Sequence, residues 1–111
     1  MGSRLMSESL STGTPAYSSE IKLSPRAGFA IGIEWTSTLE ATVVLQLGID
    51  KPDEHGGGTF WFDTAEVFPD VPEGTAGSSG QSWGDMNADR VRLKVTRTAS
   101  SGTFTAWGTW K

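Results

Sequence analysis

The chain contains no cysteine, so disulfide staples and Cys-ligated zinc or iron–sulfur sites are excluded. It has one histidine and one tyrosine, and no hydrophobic run approaches the length of a membrane-spanning helix. The first residues, MGSRLMSESLSTGTP, hold no continuous apolar stretch, so no secretory signal is expected from them. Acidic residues are absent from the last 22 positions, whereas residues 50–89 carry nine acids and one base. An acidic middle therefore precedes a basic end within a chain of net charge −4, which disfavours general nucleic-acid binding. Opposite charges in one small fold can simply be neighbours, or the basic strip can meet an acidic partner.

Motifs of catalysis are missing as well. His55 is the only candidate for a Ser-His-Asp triad, and no G-x-S-x-G elbow accompanies it. Asp50, Asp53, Glu54 and His55 lie close together but do not match the spacing of a calcium loop. Gly56–Gly58 lacks the Lys-Ser/Thr of a phosphate-binding loop and reads as a linker. No local signature selects a pair of carboxylates for hydrolysis. The expectation is a protein without catalytic residues, metal or cofactor.

What is present is β-pattern. FAIGIEW, residues 29–35, places Phe29, Ile31, Ile33 and Trp35 on one face and Ala30, Gly32 and Glu34 on the other. The small residues at 30 and 32 suggest close packing against that second face, or a bulge. ATVVLQLGI alternates Val43, Leu45, Leu47 and Ile49 inward, with a helix as the weaker alternative. SEIKLS, residues 19–24, reads as a short strand followed by a turn at Pro25–Gly28, and TFWFD, residues 59–63, as another strand. Residues 64–88 read as a long connection that tucks Phe68 and Trp83 into the core and hides one short strand near 66–68 or 81–83.

The closing segment alternates Val91, Leu93 and Val95 with Arg90, Arg92 and Lys94, passes a polar turn at 98–102, and returns over 103–110, reading as a hairpin. Six or seven strands without a convincing helix argue for an all-β protein, a two-sheet β-sandwich. Residues 1–18 sustain no period and read as a flexible N-terminal arm, with Leu5, Leu10 and Tyr17 as anchors if it orders on a partner; residues 19–111 form the sandwich domain.

Five tryptophans occupy this short chain. Trp35 and Trp110 fall on inward parities. Trp61 and Trp107 fall on the opposite parity from their apolar neighbours, so they are core to a second surface, anchors of a protein interface, or platforms for sugar rings. Arg90, Arg92 and Lys94 form a cationic ladder that needs acids from another strand or another chain.

The pattern R-L-x-x-T-x-T-x-S-S-G-T-x-x-A from Arg92 to Ala106, with the Ser/Thr-rich arm and FAIGIEW, resembles the small capsid decoration (staple or cement) proteins of short-tailed, epsilon15-like bacteriophages. The likeness rests on about the last quarter of the chain. It implies a jelly-roll-like sandwich without enzymatic activity. The implied protein is made in the host cytoplasm, sits on the capsid exterior of the virion and bridges major capsid protein subunits. It further implies a homodimer, with no direct nucleic-acid or membrane partner. Contact candidates from the pattern are Arg90, Arg92, Lys94, Trp61, Trp107, Leu5, Leu10 and Tyr17. A carbohydrate-binding β-sandwich using Trp61 or Trp107, and a tail or fibre component of a virion, are the alternatives.

Overall fold

The structure is a computed structural model, described here for residues 2–9, 14–23, 28–36, 38–68, 76–84 and 87–110, without the side chain of residue 67. Its strands are β1 (Ser3–Ser9), β2 (Ala16–Tyr17), β3 (Ile21–Lys22), β4 (Phe29–Trp35), β5 (Glu40–Asp50), β6 (Thr59–Val67), β7 (Gly77–Trp83), β8 (Arg90–Ala99) and β9 (Thr103–Trp110). One sheet, A, has the order β1-β9-β4-β7; the other, B, has β2-β8-β5-β6, with β3 also paired to β8. No described helix is long and apolar enough to cross a membrane.

The pairing has a simple logic. Taking β2 and β3 as one interrupted strand gives eight strands in sequence. The first pairs with the eighth, the second with the seventh, the third with the sixth and the fourth with the fifth, all antiparallel. This is a long antiparallel ribbon rolled on itself, joined across the roll by β4–β9 and β5–β8. The result is a jelly-roll sandwich.

The core follows the alternation. Phe29, Ile31, Ile33 and Trp35 of β4 face Ala41, Val43 and Leu45 of β5 and Val91, Leu93 and Val95 of β8, with Phe104 and Ala106 of β9 closing the layer. Each fully buried aliphatic or aromatic side chain stabilises the fold by about 1.5–3 kcal/mol relative to exposure.

Several expectations change. The closing strands do not form a hairpin: β8 lies in the middle of sheet B and β9 in the middle of sheet A. Both strands have an apolar face, and those faces bury each other only if the turn carries the chain from one sheet to the other. Ser100, with φ of 59°, makes that crossing. Residues 3–9 are an edge strand rather than a free arm, with Leu5 and Met6 buried in the core. Leu5 packs so closely that a Cβ at Gly108 would lie 2.9 Å from its Cδ1. Residues 16–17 are β2, so the described strands of this segment, 3–9 and 16–17, are paired into sheets A and B respectively.

The long connection contains the edge strand β7, whose GSSGQSW has no apolar alternation and takes its form from pairing with β4. Phe68 is buried, and Trp83 stacks on Phe29 with ring centroids 4.9 Å apart. The Gly56–Gly58 stretch is an ordered closure of the β5–β6 hairpin. All three glycines have positive φ, a single 3-10 turn spans Asp53–His55, and Lys51 N–H donates to Gly58 O at 2.9 Å. The expected turn at Pro25–Gly28 falls largely outside the described residues.

Candidate functional site

Three surfaces bear on function: the outward face of sheet B, the free edge at β6, and the outward face of sheet A.

Strand alternation sends Arg90, Arg92 and Lys94 outward from β8, and neighbouring strands meet them with partners. Arg90 Nε donates to Asp50 Oδ1 at 2.8 Å, and its Nη1 lies 3.3 Å from Glu20 Oε1. Lys94 Nζ reaches Asp63 Oδ2 at 3.4 Å. Arg92 sits between two rings, 4.2 Å from the Tyr17 centroid and 4.0 Å from the Trp61 ring. Its Nε donates to Gln46 Oε1 at 2.8 Å, and Gln46 Nε2 donates to Asp63 Oδ1 at 2.6 Å. Under this cover Gln46 is buried although it points away from the core.

Two acids of the middle, Asp50 and Asp63, therefore pair with two bases of the end, Arg90 and Lys94, within one molecule. The Arg90 guanidinium, through its hydrogen bond, holds the Asp50 carboxyl below its ordinary range. The Gln46 amide does the same for Asp63, with Lys94 assisting. Asp50 in turn raises Arg90. Among the described residues, no three His, Cys, Asp or Glu side chains converge as a metal site.

Among the described residues, strand β6 pairs with β5 alone. Its register shifts beyond Asp63, so the straight portion is residues 59–63. Beside it the inward parity of sheet B continues to Ile49, Phe60 and Phe62. These three remain 47%, 55% and 37% exposed. Phe60 and Phe62 lie with ring centroids 6.1 Å apart. Ile49 was expected in the core; its parity is inward, but it lies at a margin the opposite sheet does not cover.

On the outward face of sheet A, Trp107 stands opposite Gly32 of β4 and is 45% exposed. Its indole Nε1 donates to Glu34 Oε1 at 2.6 Å. A trough of about 570 Å³ lies beside it, with Ala30, Gly32 and Gly80 among its lining residues.

Of the residues singled out from sequence, Tyr17, Trp61, Arg90, Arg92 and Lys94 come together on sheet B. Trp107 belongs to the opposite face of the molecule. Leu5, taken as an arm anchor, is 4% exposed and spent on the chain's own core. Leu10 lies outside the described residues. Sequence reasoning missed the exposed Ile49–Phe60–Phe62 group because parity reports the side of a sheet and not the extent of its cover. It missed the trough because one side of it comes from β7, which reads as loop. No protein-family model matches the chain, and no curated protein matches its sequence.

Proposed function

We propose that the chain is a virion structural protein that decorates the outside of a phage capsid and staples neighbouring major capsid protein subunits, stabilising the shell against internal DNA pressure. The observation that carries this reading is an edge strand left open in a jelly roll. Among the described residues, β6 has one unpaired side, and three exposed apolar side chains lie on it and on its neighbour β5. An open apolar edge is a liability in a protein that works alone, and it is a docking device in one that adds a strand to a partner. Jelly rolls recur in viral shells, which supports the reading by analogy of fold. The likeness of Arg92–Ala106 to phage decoration proteins points the same way.

In this reading the major capsid protein covers residues 59–63 and the Ile49–Phe60–Phe62 group. Each contact is small, and many copies on one shell act together. A homodimer would place two such edges on adjacent subunits. The chain has no part in catalysis and needs no cofactor.

Capsids purified without the chain provide the test. Added protein is expected to bind them and to raise the temperature at which they release DNA. The F60S/F62S variant is expected to bind at least about tenfold more weakly, as loss of an interface anchor does. Capsids that neither bind the wild-type chain nor gain heat resistance from it would refute the reading.

A further inference from the structure

The docking edge leaves one aromatic side chain unexplained. Trp61, the other outward tryptophan considered as a sugar platform, is stacked on Arg92. Trp107 is half-exposed, and a hollow lies beside it. We propose that the outward face of sheet A binds a neutral carbohydrate chain, with Trp107 as its stacking platform.

The hollow is built for close approach. It measures about 570 Å³, within the range of roughly 300–1,000 Å³ usual for small-ligand sites. A second hollow of about 390 Å³ shares Ala30, Ser82 and Thr109 with it, so the two form one elongated groove. Such a groove suits a linear oligomer better than a single ring.

The fold itself does not need this space. Gly32 and Gly80 are cross-strand partners, and neither has a positive φ. A Cβ on Gly32 would meet nothing nearer than Ser79 O at 3.9 Å, and one on Gly80 nothing nearer than Ile31 O at 3.7 Å. Gly48 is different: a Cβ there would lie 2.7 Å from Thr59 Cγ2 and 3.0 Å from the Trp61 ring. Glycine at 48 serves the chain's own packing, whereas at 32 and 80 it keeps a floor low.

Charge selects the ligand class. Among the described residues, none that lines either hollow is acidic or basic. Charges stand only at the margin: Arg4 is the partner of Trp107 on β1, across β9 from the hollow, and Glu34 is held by the indole, so the floor itself offers a charged ligand no counter-ion among the described residues. The polar side chains that share the outward parity of the lining are two hydroxyls, Ser82 and Thr109, both cross-strand partners of Ala30. An indole face together with neutral hydrogen-bonding groups matches a pyranose, which has apolar C–H faces and a rim of hydroxyls. The bond from Trp107 Nε1 to Glu34 fixes the ring before the ligand arrives.

The test is calorimetric titration of the full chain with cellohexaose, maltohexaose and mannohexaose, with a heparin hexasaccharide as the charged probe. At least one neutral hexasaccharide is expected to bind saturably, and heparin is not. Trp107→Ala should weaken binding by about tenfold or more. Gly80→Val should keep the wild-type melting temperature and lose binding, because its side chain fills the groove. The F60S/F62S variant should weaken capsid binding by about tenfold or more and keep sugar binding, which separates this site from the docking edge. Flat titrations with all three neutral sugars would overturn the proposal, as would wild-type affinity in both Trp107→Ala and Gly80→Val. Loss of capsid binding in Gly80→Val without any sugar binding in the wild type would make the groove a protein contact instead, and would equally overturn it.

Discussion

Sheets A and B each turn one face to water and complete it differently. On sheet B every outward base of β8 up to Lys94 meets an acid, an amide or an aromatic ring of the same molecule. That face has spent its chemistry internally. On sheet A the central outward positions include Ala30, Gly32 and Trp107, with the indole bonded to Glu34, Ser7 within hydrogen-bond distance of Thr105, and an open trough alongside. Charge density, which drew attention to β8 in the sequence, marks the saturated face. The sparse face is the one with room for something else.

The largest expected effect comes from dismantling sheet B's network at its centre. Arg92 stacks between Tyr17 and Trp61 and donates to the buried Gln46. Arg92→Ala removes both stacking contacts and leaves Gln46 Oε1 without its donor. The cost is expected to be about 2 kcal/mol, read from denaturant melts. Arg92→Lys should recover less than half of it, because an ammonium has neither the flat face nor the Nε donor. If Arg92→Ala melts like the wild type, the network is decoration on a sheet held by its core alone.

This difference explains what could be read from sequence. The alternation in FAIGIEW and in Val91–Val95 gave the strands and most of the core, because period-2 burial is a local signal. The pairing of strands was not local. Whether β8 folds back on β9 or crosses to the other sheet depends on where β4 and β5 wait to receive them, and both routes use the same turn residues. The same limit applies to Ile49 and Phe60, whose parity is readable but whose cover is set by the extent of the opposite sheet. Leu5 and Met6 looked like arm residues since β1 breaks its own alternation: the register against β9 shifts between Arg4 and Met6, which puts consecutive side chains into the core.

Acid should erase the contrast between the faces in part. Asp50 and Asp63 are both held below the ordinary carboxylate range in the folded chain, by Arg90 and Gln46 respectively. A depressed folded value means that their contribution is complete above the unfolded value of about 3.9 and fades as pH falls through the folded values. The D50N/D63N variant should therefore melt below the wild type at neutral pH, and the gap should close as pH falls below about 4. Both carboxylates are well exposed, so the gap is modest and shrinks with added salt. A gap that stays constant from pH 7 to pH 2 would show that the two side chains act through shape and not through charge.

The smallest effect is expected on sheet A, and its smallness is informative. Trp107→Ala removes a half-exposed indole on the outward face and its hydrogen bond to Glu34. The cost is expected to be about 1 kcal/mol, below that of Arg92→Ala. Gly32→Ala adds a methyl group to an extended strand where it meets only Ser79 O at ordinary contact distance, and should be neutral or slightly stabilising. Together these variants ask whether sheet A's open face belongs to the fold at all. If Trp107→Ala costs as much as Arg92→Ala, the indole is holding the sandwich together and the two faces are alike. If it costs clearly less, a large aromatic side chain stands at the centre of a sheet while serving its stability little, and its use lies outside the chain.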